Sequence, residues 1–401
     1  MPFMKKNTTK VLKAANKYLV MQCIQTYEPV TTEEITSRTS LSRPTVLEII
    51  REFLEEGYIM KNGFSESTGG RPAELIHINK DSAYAVGIDL EFPKVRMAVS
   101  NMKKEIIVSR EVKFRIDCEA QEVLNRLLAE IELLIADAGK PKEKMAGIGL
   151  GISGTIRKNE GKSLHIKRIR GWDHIDMKQI LEERFQMPVY MKNDVHLLAL
   201  IEKEKYLPSE TADFIYIGIR SGIGSAIFCK NRPLDGNHGN AGYIGHTTLD
   251  VNGPECVCGN HGCLDAYAGE LALNKFYRRK TGTESTEEYY TLHDFVEKTK
   301  QGDTDSTEIL KRAASYLGIA ISNMLKTLEI ETIIIGGCPN LDGSVYWDTL
   351  QETVKKYLVH DMEMHPDIRV GKLKKEDYPL GACCYVFEHM FAKPKLSLAV
   401  I

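Results

Sequence analysis

The chain has 401 residues, 43% of them hydrophobic and 27% charged, with a formal net charge of −2. That length fits two or three domains, and the composition is that of a folded globular protein, not of a disordered or fibrous one. The near-balanced charge excludes a general polyanion binder, and no apolar run in the sequence reaches the length of a membrane-spanning helix.

The opening residues, Met1 to Lys6 followed by Asn7-Thr8-Thr9, lack the apolar stretch of a secretory leader, which predicts a cytoplasmic protein. Residues 1–72 hold ten Lys/Arg against eight Glu, a net of +2, so the remainder carries −4. Lys10 to Tyr27 places Val11, Leu12, Ala15, Leu19 and Ile24 at helical spacing. Thr31-Thr-Glu-Glu34 has the pattern of a capping box and starts a short second helix through Arg38. After the turn Thr39-Ser-Leu41, Ser42 caps a third helix with Pro44 in its first turn. Val46, Leu47, Ile50, Phe53 and Leu54 are its expected core face. Gly57 stops it, and Tyr58–Lys61 and Ala73–Ile78 then read as a hairpin, with Asn62-Gly63 beginning the loop. Three helices and a hairpin describe a winged helix-turn-helix, whose second helix would enter the major groove with Ser42, Arg43, Pro44 and Thr45 at its leading end. Arg71, on the arm before Pro72, is a candidate for a narrow minor groove. The same pattern also fits a three-helix module that binds protein.

From Ala83 the pattern becomes mixed α/β. Strands are predicted at Tyr84–Leu90, Val95–Ser100 and Ile106–Phe114, a helix at Glu119–Ala138 and a strand at Met145–Gly151. That succession is the unit of an actin-like nucleotide- and sugar-handling lobe. A second lobe would begin near Asn193, with strands at Phe214–Gly218, Ser225–Cys229 and Thr332–Gly337 and a long helix near Ile309–Lys326. The boundaries so read are 1–80 for the head and linker, 81–192 for the first lobe with a C-terminal helix in 380–401, and 193–379 for the second lobe.

His246, Cys256, Cys258 and Cys263 are one imidazole and three thiols, the donor set of a four-coordinate structural zinc site. Three cysteines within eight residues are hard to explain as core packing. Four protein ligands leave no position for an activated water, so Zn2+ would hold a loop and not catalyse.

Several segments resemble the ROK family of repressors, open reading frames and sugar kinases. These are Leu-Ser-Arg-Pro-Thr-Val (41–46), Leu-Glu-Glu-Gly-Tyr-Ile (54–59), Gly-Gly-Arg-Pro (69–72), Ala-Val-Gly-Ile-Asp (85–89), and Gly-His followed by Cys-x-Cys-Gly-x-x-Gly-Cys-x-Asp. The resemblance spans nearly the whole chain and implies a two-lobed, ribonuclease H-like ATPase fold. It also implies that Asn193 and Asp194 match the pair that binds sugar hydroxyls and supplies the kinase base. By the same resemblance, Ser153, Gly154, Tyr243, His246 and Asp265 fall at sugar-contacting positions, and Ser221-Gly-Ile-Gly224 is similar to the second phosphate loop.

Two departures matter. The family's kinases carry Asp-x-Gly-Gly-Thr in the first phosphate loop, where this chain has Asp89-Leu-Glu-Phe-Pro93. Glu91 would set a carboxylate against a polyanion, Phe92 adds bulk and Pro93 removes a donor. The family's Ala-Gly-Glu-x-Gly-His is Ala241-Gly-Tyr243-Ile-Gly-His246, and the Glu two residues past the last zinc cysteine is Asp265. Tyr243 would either stack on a sugar or fill an emptied pocket. The expectation is a repressor without enzyme activity, bound to palindromic operator DNA as a homodimer or homotetramer and released by a sugar or sugar derivative. An active sugar kinase with an accessory head, and a repressor controlled by a protein partner, are the alternatives.

Overall fold

The computed structural model of the chain describes residues 9–66, 72–115, 118–166, 168–282, 289–338, 340–358 and 363–391. It opens with helices α1 (Thr9–Tyr27), α2 (Thr32–Thr39) and α3 (Arg43–Glu55) and the hairpin β1 (Ile59–Phe64), β2 (Glu74–Ile78). Both short helices start where local chemistry dictates. The Glu34 N–H donates to the Thr31 hydroxyl at 3.2 Å, and the Thr31 N–H donates to the Glu34 carboxylate at 2.7 Å. This reciprocal pair satisfies two donors that a helix start leaves unpaired. Ser42 caps α3 by accepting from the Thr45 N–H, with Pro44 in the first turn.

The buried face of α3 is Val46, Ile49, Ile50 and Phe53, the i, i+3, i+4, i+7 stripe. Leu47, expected in the core, is 47% exposed, because one residue turns the helix by about 100° and Ile49 takes the inward place. On α1 the buried face is Ala15, Val20, Met21 and Ile24, while Leu12 and Leu19 lie outward. A second correction concerns Asn62-Gly63. They lie within β1, where the ladder shifts register between Lys61 and Phe64 with Gly63 at φ +79°. A bulge, not the loop, uses that glycine.

The first α/β lobe contains β3 (Tyr84–Glu91), β4 (Lys94–Asn101), β5 (Ile106–Lys113), α4 (Ala120–Ala138) and β6 (Met145–Ile152), each within one residue of its sequence expectation. A small antiparallel sheet, β7 (Thr155–Arg157), β8 (Lys162–His165) and β9 (Asp173–Ile175), follows. After it come α5 (Met177–Phe185), β10 (Val189–Asn193) and α6 (Asp194–Tyr206). The main sheet runs β10-β6-β3-β4-β5, with β10, β6 and β3 parallel.

The second lobe is built from β11 (Phe214–Ile219), β12 (Ile223–Cys229), β13 (Arg232–Pro233), α7 (Asp265–Ala268), α8 (Glu270–Thr281), α9 (Leu292–Lys300) and α10 (Thr304–Leu328). It is completed by β14 (Thr332–Gly336), α11 (Val345–Tyr357) and β15 (Asp367–Val370), and the last helix is α12 (Tyr378–Met390). Its sheet order is β13-β12-β11-β14-β15. The expected C-terminal helix of 380–401 thus ends at Met390, and residues 392–401 lie outside the described residues.

The alternation in β3 and β6 explains how the first lobe is layered. Val86, Ile88 and Leu90, with Ile148, Leu150 and Ile152, point into a core shared with Leu127, Ile131 and Leu134 of α4. On the opposite face, Gly87 and Gly149 lie against α12. A Cβ on Gly87 would come 2.0 Å from the Pro379 carbonyl oxygen, and one on Gly149 2.1 Å from that of Ala382. Only glycine permits so close an approach of helix to sheet.

The last helix also reaches the head. Cys383, Val386 and Phe387 share a core with Ile24, Ile59, Ile76 and Ile78. Phe391 stands edge-on to Phe53 and Tyr58, with ring centroids 5.9 and 5.1 Å apart. Lys103, in the β4–β5 turn, adds an ion pair to Glu28 at 3.1 Å. Among the described residues no helix is long and apolar enough to cross a membrane.

Candidate functional site

The two lobes face each other across a cleft of about 600 Å3. Its floor is the junction of β10 and α6. Asn193 ends the strand and caps the helix, its side-chain oxygen accepting from the Val195 N–H at 3.1 Å. Capping and cleft position therefore coincide. Asp194, the first helical residue, points into the cleft and is 3% exposed. Ser153 and Gly154 line the wall from the first lobe, and Tyr243, His246 and Asp265 line it from the second. All seven residues expected at an effector site thus share one cavity.

A residue that the sequence reading passed over dominates the centre. Arg220 directly precedes the Ser221–Gly224 loop and is 5% exposed. One of its terminal nitrogens donates to Asp194 Oδ2 at 2.7 Å and to Asp89 Oδ1 at 2.9 Å. The other donates to Asp89 Oδ2 at 2.6 Å and lies 2.9 Å from Glu91 Oε2. Arg96 adds a longer contact to Asp89 at 3.4 Å. Burial pushes the Asp194 carboxyl up to about 6, although Arg220 beside it pulls the other way.

The loop that resembles a phosphate binder is filled from within. The Ser221 N–H donates to Glu91 Oε1 at 2.9 Å, and the Ile223 N–H donates to Asp265 Oδ1 at 2.6 Å. Glu91 was expected to repel a phosphate. Here its carboxylate takes the backbone donor such a phosphate would use, and Arg220 neutralises it. Phe92 packs on Phe114 at a 6.0 Å ring separation, and its carbonyl oxygen accepts from Arg168 at 3.1 Å.

Tyr243 spans the cleft. Its hydroxyl donates to the Gly154 carbonyl oxygen at 2.8 Å, and its ring lies nearly parallel to that of His246 at 5.9 Å. Burial raises its phenol above the usual range. At Gly154, a position expected to meet a sugar, the carbonyl oxygen is therefore met by a tyrosine hydroxyl.

Beside the cleft, one donor atom each from His246, Cys256, Cys258 and Cys263 falls within 4.8 Å of the others. Cys256 Sγ is 3.6 Å from His246 Nδ1, and Cys258 Sγ is 3.7 Å from Cys263 Sγ. With Zn–S near 2.3 Å and Zn–N near 2.05 Å, tetrahedral edges are roughly 3.6 Å for N···S and 3.8 Å for S···S. The sulfurs are too far apart for a disulfide and at the right distance for ligands of one ion.

In the head, Ser42, Arg43 and Pro44 are exposed and Thr45 is half-buried, so the leading turn of α3 faces solvent. Among the described residues, Arg43 makes only a long contact, 3.9 Å, to the exposed Glu33. Arg71 lies outside the described residues.

The family model described as "ROK family" matches residues 85–388. The xylose repressor of Caldicellulosiruptor bescii is 28% identical over 395 residues, covering 96% of this chain and 99% of that protein. The DNA-binding transcriptional dual regulator NagC of Escherichia coli K12 is 25% identical over 332 residues, covering 82% of this chain and 81% of that one. Among solved structures, a transcriptional regulator described as a homolog of the E. coli MLC protein superimposes with a TM-score of 0.80 at 22% identity, over 95% of this chain and 97% of its own. A hexokinase from Thermus thermophilus gives 0.62 at 26% identity, over 77% and 99%.

Proposed function

Because the chain belongs to the ROK family, we propose that it is an operator-binding repressor of carbohydrate genes, released by a small sugar or sugar derivative in the interlobe cleft and without phosphoryl-transfer activity. The observation that carries this reading is the self-filled phosphate loop. Glu91 and Asp265 hold the Ser221 and Ile223 N–H groups, and Arg220 holds Asp194. A kinase needs those donors free for phosphate and that carboxylate free as a base. Asn193, the other carboxylate oxygen of Asp194, and His246 remain as groups for sugar hydroxyls.

Operator contact is assigned to Ser42, Arg43, Pro44 and Thr45, with Arg71 on the adjoining arm. Relatives along the full chain that are named repressors support this, as does the exposed leading turn of α3. The Cys3His cluster would hold a structural Zn2+, ordering the loop that carries His246 to the cleft wall. A two-fold operator calls for a homodimer or a homotetramer.

The test joins two measurements on the zinc-loaded full chain. A thermal-shift panel of sugars, amino sugars and their phosphates should yield a selective hit. That hit should also release the protein from a duplex chosen by in vitro selection. Sugar-dependent ATP consumption that disappears in Asp194→Asn would overturn the reading in favour of a kinase. A second reading has its own observation, the Tyr243 bridge to Gly154. If no small molecule shifts the wild type while Tyr243→Ala gains a response, the tyrosine closes the pocket and a protein partner is the regulator.

A further inference from the structure

On the small sheet beside the cleft, β8 and β9 set His165 opposite Asp173 in register, and His174 follows Asp173. Asp173 Oδ1 lies 3.3 Å from His165 Nδ1 and 2.6 Å from His174 Nδ1. The two imidazole rings stand edge to face at 5.5 Å. One donor atom from each of the three residues falls within 4.8 Å of the others. His174 takes this place with φ at +51°, the left-handed region that few non-glycine residues occupy.

We propose that His165, Asp173 and His174 form a second metal site, for a divalent transition ion such as Ni2+, Co2+ or Zn2+, separate from the cysteine-rich cluster. Two imidazole nitrogens and one carboxylate oxygen suit ions of intermediate softness and are a poor set for Mg2+ or Ca2+. Ligands about 2.1 Å from an ion stand roughly 3.0 Å apart in an octahedron and 3.4 Å in a tetrahedron. The His165–Asp173 N···O separation of 3.3 Å lies between those edges, and the His174–Asp173 separation of 2.6 Å, a hydrogen-bond distance, would lengthen by a few tenths of an ångström around an ion. Because the donors already converge, little ordering remains to be done on binding. All three side chains are about half-exposed, so solvent completes the coordination and affinity falls below that of the Cys3His cluster. His165 also lines the cleft. A bound ion would therefore sit at the cleft rim and tie β8 to β9.

The geometry has a competing explanation that needs no ion, a carboxylate hydrogen-bonded between two histidines. Equilibrium dialysis separates them. The tag-free full chain, carrying its one equivalent of zinc, is dialysed against micromolar Ni2+ and both metals are counted. The expected result is one Ni2+ per chain beyond the zinc. His165→Ala and His174→Ala should each weaken that uptake by about tenfold or more, with zinc content and melting temperature unchanged. Co2+ at the same site should show weak d–d bands without a thiolate charge-transfer band. The proposal is overturned if the wild type takes up no Ni2+ beyond its zinc, if Ni2+ only displaces zinc, or if both variants bind as the wild type does, an adventitious ion only.

Discussion

Replacing Arg220 with Met would leave Asp89, Glu91 and Asp194 facing one another without the guanidinium that contacts all three. Deleting one partner of a buried ion pair costs about 3–5 kcal/mol, because the remaining charge stays desolvated. Arg96, 3.4 Å from Asp89 and 3.8 Å from Glu91, offsets part of that, which places the expectation near the lower end, about 3 kcal/mol. For a folding unit of this size, each kcal/mol moves the melting temperature by about 2–4 °C, so a fall of roughly 6–12 °C follows at pH 7.5. The pH dependence has a definite sign. Burial already holds the Asp194 carboxyl at about 6, and removing Arg220 raises it further. A carboxyl raised in the folded state contributes stability that is fully present below its unfolded value and is lost as pH climbs through its folded value. The deficit of Arg220→Met against wild type should therefore shrink at pH 5. Adding Asp194→Asn should recover part of it at pH 7.5. Arg220→Lys should fall between, since it keeps the charge and loses the fork that grips Asp89 through both oxygens. Scanning calorimetry of the zinc-loaded protein reads all of this. If Arg220→Met melts within about 2 °C of wild type at pH 7.5, the carboxylates are solvated and the argument for an occupied phosphate loop fails with it.

Other consequences are more local. Cys263→Ser should lower the zinc content well below one per chain and the melting temperature with it, since the thiol is fully buried and, among the described residues, the cluster holds no fifth donor to replace it; metal analysis beside calorimetry checks this. Arg43→Ala should weaken operator binding by about 10- to 100-fold without a change in melting temperature, because its side chain is 65% exposed and its contact to Glu33 is a long one, 3.9 Å. Ser42→Ala should cost about 1 kcal/mol of head stability through the lost cap, and a titration in denaturant distinguishes that from a loss of DNA contact alone.

Much of this was legible because it is written locally. Thr31 and Glu34, Ser42 and Pro44, and the cysteine spacing act over a few residues, and the structure places them as their chemistry requires. β3 and β6 were also placed to within a residue by the chain itself, although the sequence reading did not separate their two faces. Arg220 could not be found that way. Its partner Asp89 is 131 residues distant, and a lone Arg before a glycine loop has no local signature. Glu91 was seen as an obstacle to ATP, but its pairing with the opposite lobe depends on cleft geometry. β7, β8 and β9 are three or four residues long, too short for a period to register. Leu47 misled because an apolar residue beside a helix stripe looks the same in sequence as one within it.

The position of α12 bears on how the protein is made. Phe53 and Tyr58 of the head leave the ribosome well before Phe391, which covers them and is synthesised about 330 residues later. At 5–20 residues per second, that is roughly 17–67 s during which Phe53 and Tyr58 lack the aromatic ring that packs on them. Nor can the glycine face of β3 receive Pro379 before then. The last helix is therefore a closing piece, and a truncated product that lacks it would expose apolar surface on the head and the first lobe at once.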